Sequence, residues 1–355
     1  MNPPLLDNIL AQPESLREVA AYQLGEGRQS LEAAVEVLRS SRRIVFTGMG
    51  ASLFACTPLA YALSARGVSV CAIESSELLY FLSPVLGRET AVVLVSRSGE
   101  SVEVIRLLPL LEERDCRTIG VFNVRESTLA KRTEQPVFVG SPADELVAIQ
   151  TYTGTLATLG LLGAAYENEW ENATTALNET IAALQRLISE CSSFCKSRNN
   201  FIEGTATLYL LARGAALASV EEGVLLMHEV AKAPAVGMSA AQFRHGPAEA
   251  IHKDFRAVIF GTQPATMALD LSLAQDLSAM GAQVLWLGPE PNNTNLLTVS
   301  WPEKPAGRFA GILEAVPLQL LAYYMAIERG ISPGKFRYTA AITSSETGFA
   351  HGKTI

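Results

Sequence analysis

Between residues 43 and 139, short apolar runs alternate with helical patterns at a near-constant pitch, and few folds tolerate that rhythm. Arg43-Ile44-Val45-Phe46-Thr47 reads as a buried strand by its β-branched content, with further strands over 68–73, 91–95, 117–121 and 136–139. Helical patterns over 53–66, 76–81 and 102–114 fill the intervals. Ala91-Val92-Val93-Leu94-Val95 is apolar at every position, as a strand must be when both faces are covered. Strand and helix alternating in this way predict an α/β fold with a doubly wound parallel sheet in three layers, helices on either side.

The second half repeats the plan: strand 206–211, helix 219–233, strand 257–261, helix 267–280, strand 283–287 and a last helix over 311–329. Val93-Leu94-Val95-Ser96-Arg97-Ser98-Gly99-Glu100-Ser101 aligns with Val258-Ile259-Phe260-Gly261-Thr262-Gln263-Pro264-Ala265-Thr266. The two halves read as a diverged internal duplication in which only the first copy keeps its serines. The expected organisation is a helical segment at 1–40, interrupted at Gln12-Pro13, and a first subdomain at 41–170. A connecting helix at 171–199, a second subdomain at 200–335 and a tail at 336–355 complete it.

Composition removes several classes of function. Of the 355 residues, 48% are hydrophobic, so the chain can fill two cores. A net charge of −8 is the wrong sign for wrapping nucleic acid. Met1-Asn2-Pro3-Pro4 lacks the basic-then-apolar order of a signal peptide. The apolar run at 316–327 is short, carries Gln319 and reads as a buried helix, so no membrane partner is expected. The five cysteines have no zinc spacing, and none of the four histidines pairs at metal spacing with another histidine or cysteine. The expectation is a cytoplasmic protein with free thiols and neither metal nor cofactor.

Two places carry chemistry. Ser96-Arg97-Ser98-Gly99-Glu100-Ser101 is a hydroxyl-rich turn between strand and helix, where hydroxyls and backbone N–H groups converge on an anion. Its alternative is ordinary capping, with Ser98 as the N-cap. Gly48-Met49-Gly50 is a tight turn after the first strand, with Leu53 where a dinucleotide fingerprint needs a third glycine. Ser52 adds a hydroxyl there. In the second half, Glu229 lies two turns beyond Glu222 on one helix face among Leu225, Leu226 and Met227. Half-buried, it is a base for neutral pH; otherwise it pairs with Lys232. Ser219 and Glu222 fit a capping box, as do Ser239 and Gln242. His245, pinned before Gly246-Pro247, is either an acid–base group or a helix-end cap.

Taken in order, Asn8-Ile9-Leu10-Ala11-Gln12-Pro13, Gly50-Ala51-Ser52, the serine turn, Arg213-Gly214, Glu222 through Glu229, Arg244-His245-Gly246-Pro247 and Val316 through Tyr323 resemble the sugar isomerase (SIS) domain family. The nearest likeness is to the isomerase part of glucosamine-6-phosphate synthases and to related aminosugar-phosphate deaminases and fructosamine-phosphate deglycases. The resemblance implies that Ser52, Ser96, Ser98 and Ser101, with the backbone at Arg97, hold a sugar 6-phosphate. It implies that Glu229 moves a proton between C1 and C2 and that His245 opens the sugar ring from a neighbouring subunit, hence a homodimer or larger. Gly50, Ala51, Glu222 and Ala341 are further pocket candidates.

The chain departs from the synthases where they carry lysines: Leu226 stands at one such position and Ala341 at the other, with Lys353 off register. Met1 leads directly into the isomerase-like part, so no glutaminase part is expected. The function implied is an isomerase or deaminase of an amino-sugar 6-phosphate, with a fructosamine-6-phosphate deglycase as the alternative. A non-catalytic sugar-phosphate sensor is the second.

Overall fold

The computed structural model describes residues 4–197, 201, 207–292, 296–301, 307–338 and 342–347. They belong to two compact units, one of residues 14–175 with 336–355, the other of residues 1–13 with 176–335.

Helix α1 (Pro4–Leu24) runs through Pro13, where the sequence predicts an interruption. A proline gives no N–H to the carbonyl four residues back. Gln12 fills that gap: its buried Nε2 donates to the Ile9 oxygen at 3.1 Å and to Gln319 Oε1 at 2.7 Å. Helix α2 (Arg28–Arg39) then leads into the first sheet.

That sheet comprises β1 (Arg43–Gly48), β2 (Val70–Glu74), β3 (Thr90–Ser96), β4 (Arg117–Phe122) and β5 (Gln135–Phe138). Its order is β2-β1-β3-β4-β5, every pairing parallel. Between β1 and β2 the single helix expected over 53–66 is two, α3 (Ala51–Phe54) and α4 (Thr57–Ser64). Pro58 falls in the first turn of α4, where its missing N–H goes unused. The remaining helices are α5 (Ser75–Tyr80), α6 (Val102–Glu113), α7 (Thr128–Arg132), α8 (Gln150–Glu167) and α9 (Trp170–Ser197). Every residue of β3 is buried. Val92 and Leu94 pack with Val104, Leu107, Leu108 and Leu111 of α6. Each such side chain contributes roughly 1.5–3 kcal/mol on full burial.

The second unit repeats the order. Its elements are β6 (Leu208–Ala212), α10 (Leu217–Leu226), β7 (Ala235–Ser239), α11 (Ala240–Phe243), β8 (Arg256–Phe260), α12 (Met267–Ala279), β9 (Gln283–Gly288), β10 (Leu297–Ser300) and α13 (Ala310–Glu328). The parallel sheet runs β10-β9-β8-β6-β7, which is the first sheet's order read from the other edge. The duplication inferred from the sequence is therefore a duplication of topology. The edge strands β7 and β10 escape the sequence pattern, since half-buried edges need no continuous apolar run. One stretch, Gly307–Glu328, is long and apolar enough to cross a membrane, and most of it is buried as the core helix α13.

Gly261 stands where the first copy has Ser96. The buried Trp286 ring covers its α-carbon so closely that a β-carbon would overlap the indole. Gly261→Ala should therefore destabilise the protein by about 2–4 kcal/mol, read as a lower urea midpoint at unchanged slope.

Candidate active site

In a sheet ordered 2-1-3-4-5, the chain leaves β1 toward one edge and β3 toward the other, which opens a crevice at their carboxyl ends. The two turns singled out in the sequence flank that crevice. The turn from Gly48 to Ser52 follows β1, and the serine turn follows β3. They are packed hard together: a β-carbon on Gly48 would lie 2.8 Å from the Val95 carbonyl oxygen.

Within the serine turn, Ser96 is buried and its Oγ lies 3.1 Å from Ser101 Oγ. The Gly99 N–H donates to Ser96 Oγ at 3.1 Å, and the Glu100 N–H to Ser98 Oγ at 3.2 Å. Ser101, rather than Ser98, is the N-cap of α6, and its hydroxyl makes no capping bond. Ser98 is therefore not the helix cap, and the three hydroxyls bond within the turn itself. Arg97 sends its guanidinium to the Leu146 carbonyl at 2.9 Å, and its own carbonyl accepts the Asn123 N–H at 3.0 Å. Gly50 caps α3, and Ala51 and Ser52 form its half-buried first turn.

In the second unit, α10 begins at Leu217 behind a 3₁₀ turn, so the expected capping box of Ser219 and Glu222 does not form. Both residues are buried inside the helix, and the Ser219 hydroxyl donates instead to Glu314 Oε2 of α13 at 2.5 Å. Burial pushes the Glu314 carboxyl up, opposed by the hydroxyls of Ser219 and Thr262. Glu222 is 1% exposed, and among the described residues its Oε2 has no hydrogen-bond partner. Burial raises its carboxyl well above the ordinary range, and the charge of Glu229 raises it further.

Glu229 itself sits in a π-helical turn, Met227–Ala231, that extends α10. The turn ends at Lys232 in the left-handed conformation, φ 50°, just before Ala233-Pro234. Such turns and strained residues concentrate at functional sites. The Lys232 ammonium donates to the Glu229 backbone carbonyl. Leu226, where the synthase-like pattern has lysine, is buried. Ser239 caps α11 as expected, its Oγ accepting from the Ala241 N–H at 3.2 Å. His245 follows that helix, its N–H bonded to the Gln242 oxygen at 3.0 Å and its side chain exposed. The position of Ala341 lies outside the described residues.

Where the second copy has its own crevice, a buried ion pair stands instead. Arg213 donates to Asp270 at 2.8 Å, and the Thr266 hydroxyl donates to the same carboxylate at 3.0 Å. Sequence reasoning did not find this pair, because the arginine and aspartate are 57 residues apart.

Known proteins resemble this chain in sequence and in fold. Residues 37–165 match the SIS domain. The chain is 28% identical over 359 residues to a glutamine–fructose-6-phosphate aminotransferase (isomerizing) of Pyrobaculum aerophilum, covering 96% of this chain and 57% of that protein. It thus spans a little over half the length of that relative. The fold matches the C-terminal domain of glucosamine-fructose-6-phosphate aminotransferase from Francisella tularensis with TM-score 0.82 at 20% identity, over 93% of this chain and 97% of that one. It also matches glucosamine-6-phosphate deaminase from Thermotoga maritima with TM-score 0.77 at 21% identity, over 96% and 99%.

A carboxyl raised on folding stabilises the protein below the ordinary carboxylate pKa, and that stability is lost as pH climbs toward the raised value. Glu222→Gln stays neutral throughout. Its melting temperature should match the parent near pH 4 and exceed it by a margin that widens toward pH 8, followed by calorimetry.

Proposed function

We propose that this SIS domain protein is a sugar-phosphate isomerase or deaminase acting on an amino-sugar 6-phosphate by 1,2-proton transfer. The observation that carries the reading is the serine turn at the β1/β3 crevice, whose cap residue Ser101 turns its hydroxyl to Ser96 instead of to the helix. Ser52, Ser96, Ser98 and Ser101 with the Arg97 backbone hold the 6-phosphate. Charge-assisted hydrogen bonds of this kind are worth roughly 1.5–3 kcal/mol each, enough to seat a dianion without a lysine.

His245 gives a proton to the ring oxygen and takes the C1 hydroxyl proton as the ring opens to the free aldehyde. Its exposed side chain suits a group offered to a second copy's site, so the active form is a homodimer or larger. The Glu229 carboxylate takes the proton from C2 of the open aminosugar, and the electron pair moves toward the C1 carbonyl, whose oxygen gains a proton. Glu229 then returns its proton to C1, leaving an imine at C2. Water hydrolyses that imine to the ketose phosphate and ammonia. Ala341, in place of a lysine, favours a substrate that arrives already aminated. The same feature suits a fructosamine-6-phosphate, in which case an amino acid leaves instead.

Release of ammonia from glucosamine 6-phosphate, against release of amino acid from fructosamine phosphates, separates the two. Glu229→Gln should lower kcat by about 10²–10⁴-fold and keep phosphate affinity. His245→Gln should lower turnover of the cyclic sugar within the same range. Wild-type turnover in Glu229→Gln removes that residue from the mechanism. Sugar-phosphate binding without turnover of any aminated substrate would make the protein a sensor.

A further inference from the structure

Residues 342–347 lie against the serine turn and are held at two points. The Thr343 carbonyl oxygen accepts the Val102 N–H at 3.1 Å, the first amide of α6 beyond the Ser101 cap. Three residues on, the Tyr80 hydroxyl donates to the Glu346 carboxylate, 2.9 and 2.8 Å from its two oxygens. Arg106, one turn along α6, pairs with the same carboxylate. Its guanidinium also lies over the Tyr80 ring, 5.6 Å from the centroid.

Every residue of this segment is exposed, yet the Glu346 side chain is only 18% accessible. A lone surface ion pair contributes little, because ordering two long side chains offsets the attraction. Here one carboxylate answers a phenol and a guanidinium that already stack on each other, so much of the ordering is shared. No buried apolar side chain helps to hold the segment, and the clasp has to oppose its conformational entropy.

We propose that Tyr80, Arg106 and Glu346 are positioning residues that hold 342–347 as a strap beside the phosphate grip, and that they set substrate affinity without taking part in proton transfer. The proposal rests on the phosphate reading of the serine turn. The strap's carbonyl takes the amide next to Ser101, so the anion is left to the serine hydroxyls. The strap backbone keeps water from that side of the anion, and hydrogen bonds to charge strengthen as water is excluded.

The test uses the full chain with Arg106→Glu, Glu346→Arg and the double swap. Inorganic phosphate affinity is measured by calorimetry, kinetics use glucosamine 6-phosphate, and amide exchange is followed at 342–347. Each single variant should weaken phosphate binding and raise KM by roughly tenfold, about the worth of one charge-assisted bond. The value of kcat should stay within about twofold of wild type. Strap amides should exchange faster, and the double swap should recover most of both effects. Unchanged exchange in the single variants shows that the clasp does not hold the strap. Faster exchange with unchanged phosphate affinity shows that the strap does not serve the site. Ser98→Ala separates this from failure of the underlying reading: if the serine turn is not the phosphate site, that variant also binds phosphate normally.

Discussion

The approach of Gly48 to the Val95 carbonyl is the constraint from which the first unit's site follows. Only a residue without a side chain lets β1 end against β3 at this distance. With the two strands pressed together, the turns that leave them in opposite directions share one crevice. The buried sheet beneath makes the crevice rigid, since β3 has no exposed residue with which to shift. The hydroxyls of the serine turn are held in place there by the turn's own hydrogen bonds.

The second unit shows what happens to the same topology when that constraint is replaced. Its crevice holds an ion pair between Arg213 and Asp270, and the Trp286 ring occupies the place above Gly261 where the first copy carries Ser96. The turn after β8, from Gly261 to Thr266, carries no serine. The candidate acid–base carboxylates stand on the helix after β6 and on the π turn that extends it. There Glu222, without a lysine at position 226, is buried beside an apolar core and is pushed toward its neutral form. Glu229, two turns later, sits where the helix widens into a π turn and stops at a left-handed lysine.

Much of this was legible in the sequence, and the exceptions are instructive. The apolar strand at 91–95 and its counterpart at 257–261 announced a buried parallel sheet, because short β-branched apolar runs alternating with helical patterns fit strands covered on both faces. The serine turn and its loss in the second copy were equally plain. Local rules failed where a distant partner intervened. Pro13 did not break α1, because Gln12 supplies the donor that proline lacks. Ser219 and Glu222 have the spacing of a capping box, yet Glu314, 95 residues away from Ser219, claims the hydroxyl. The clasp on the C-terminal strap joins Tyr80 to a residue 266 positions on, and no pattern within either segment points to the other.

The most direct test is a crystal structure of the protein with glucosamine 6-phosphate bound. The account predicts phosphate density within hydrogen-bond distance of the hydroxyls of Ser96, Ser98 and Ser101. Phosphate bound instead at the turn after β8, between Gly261 and Thr266, would contradict it.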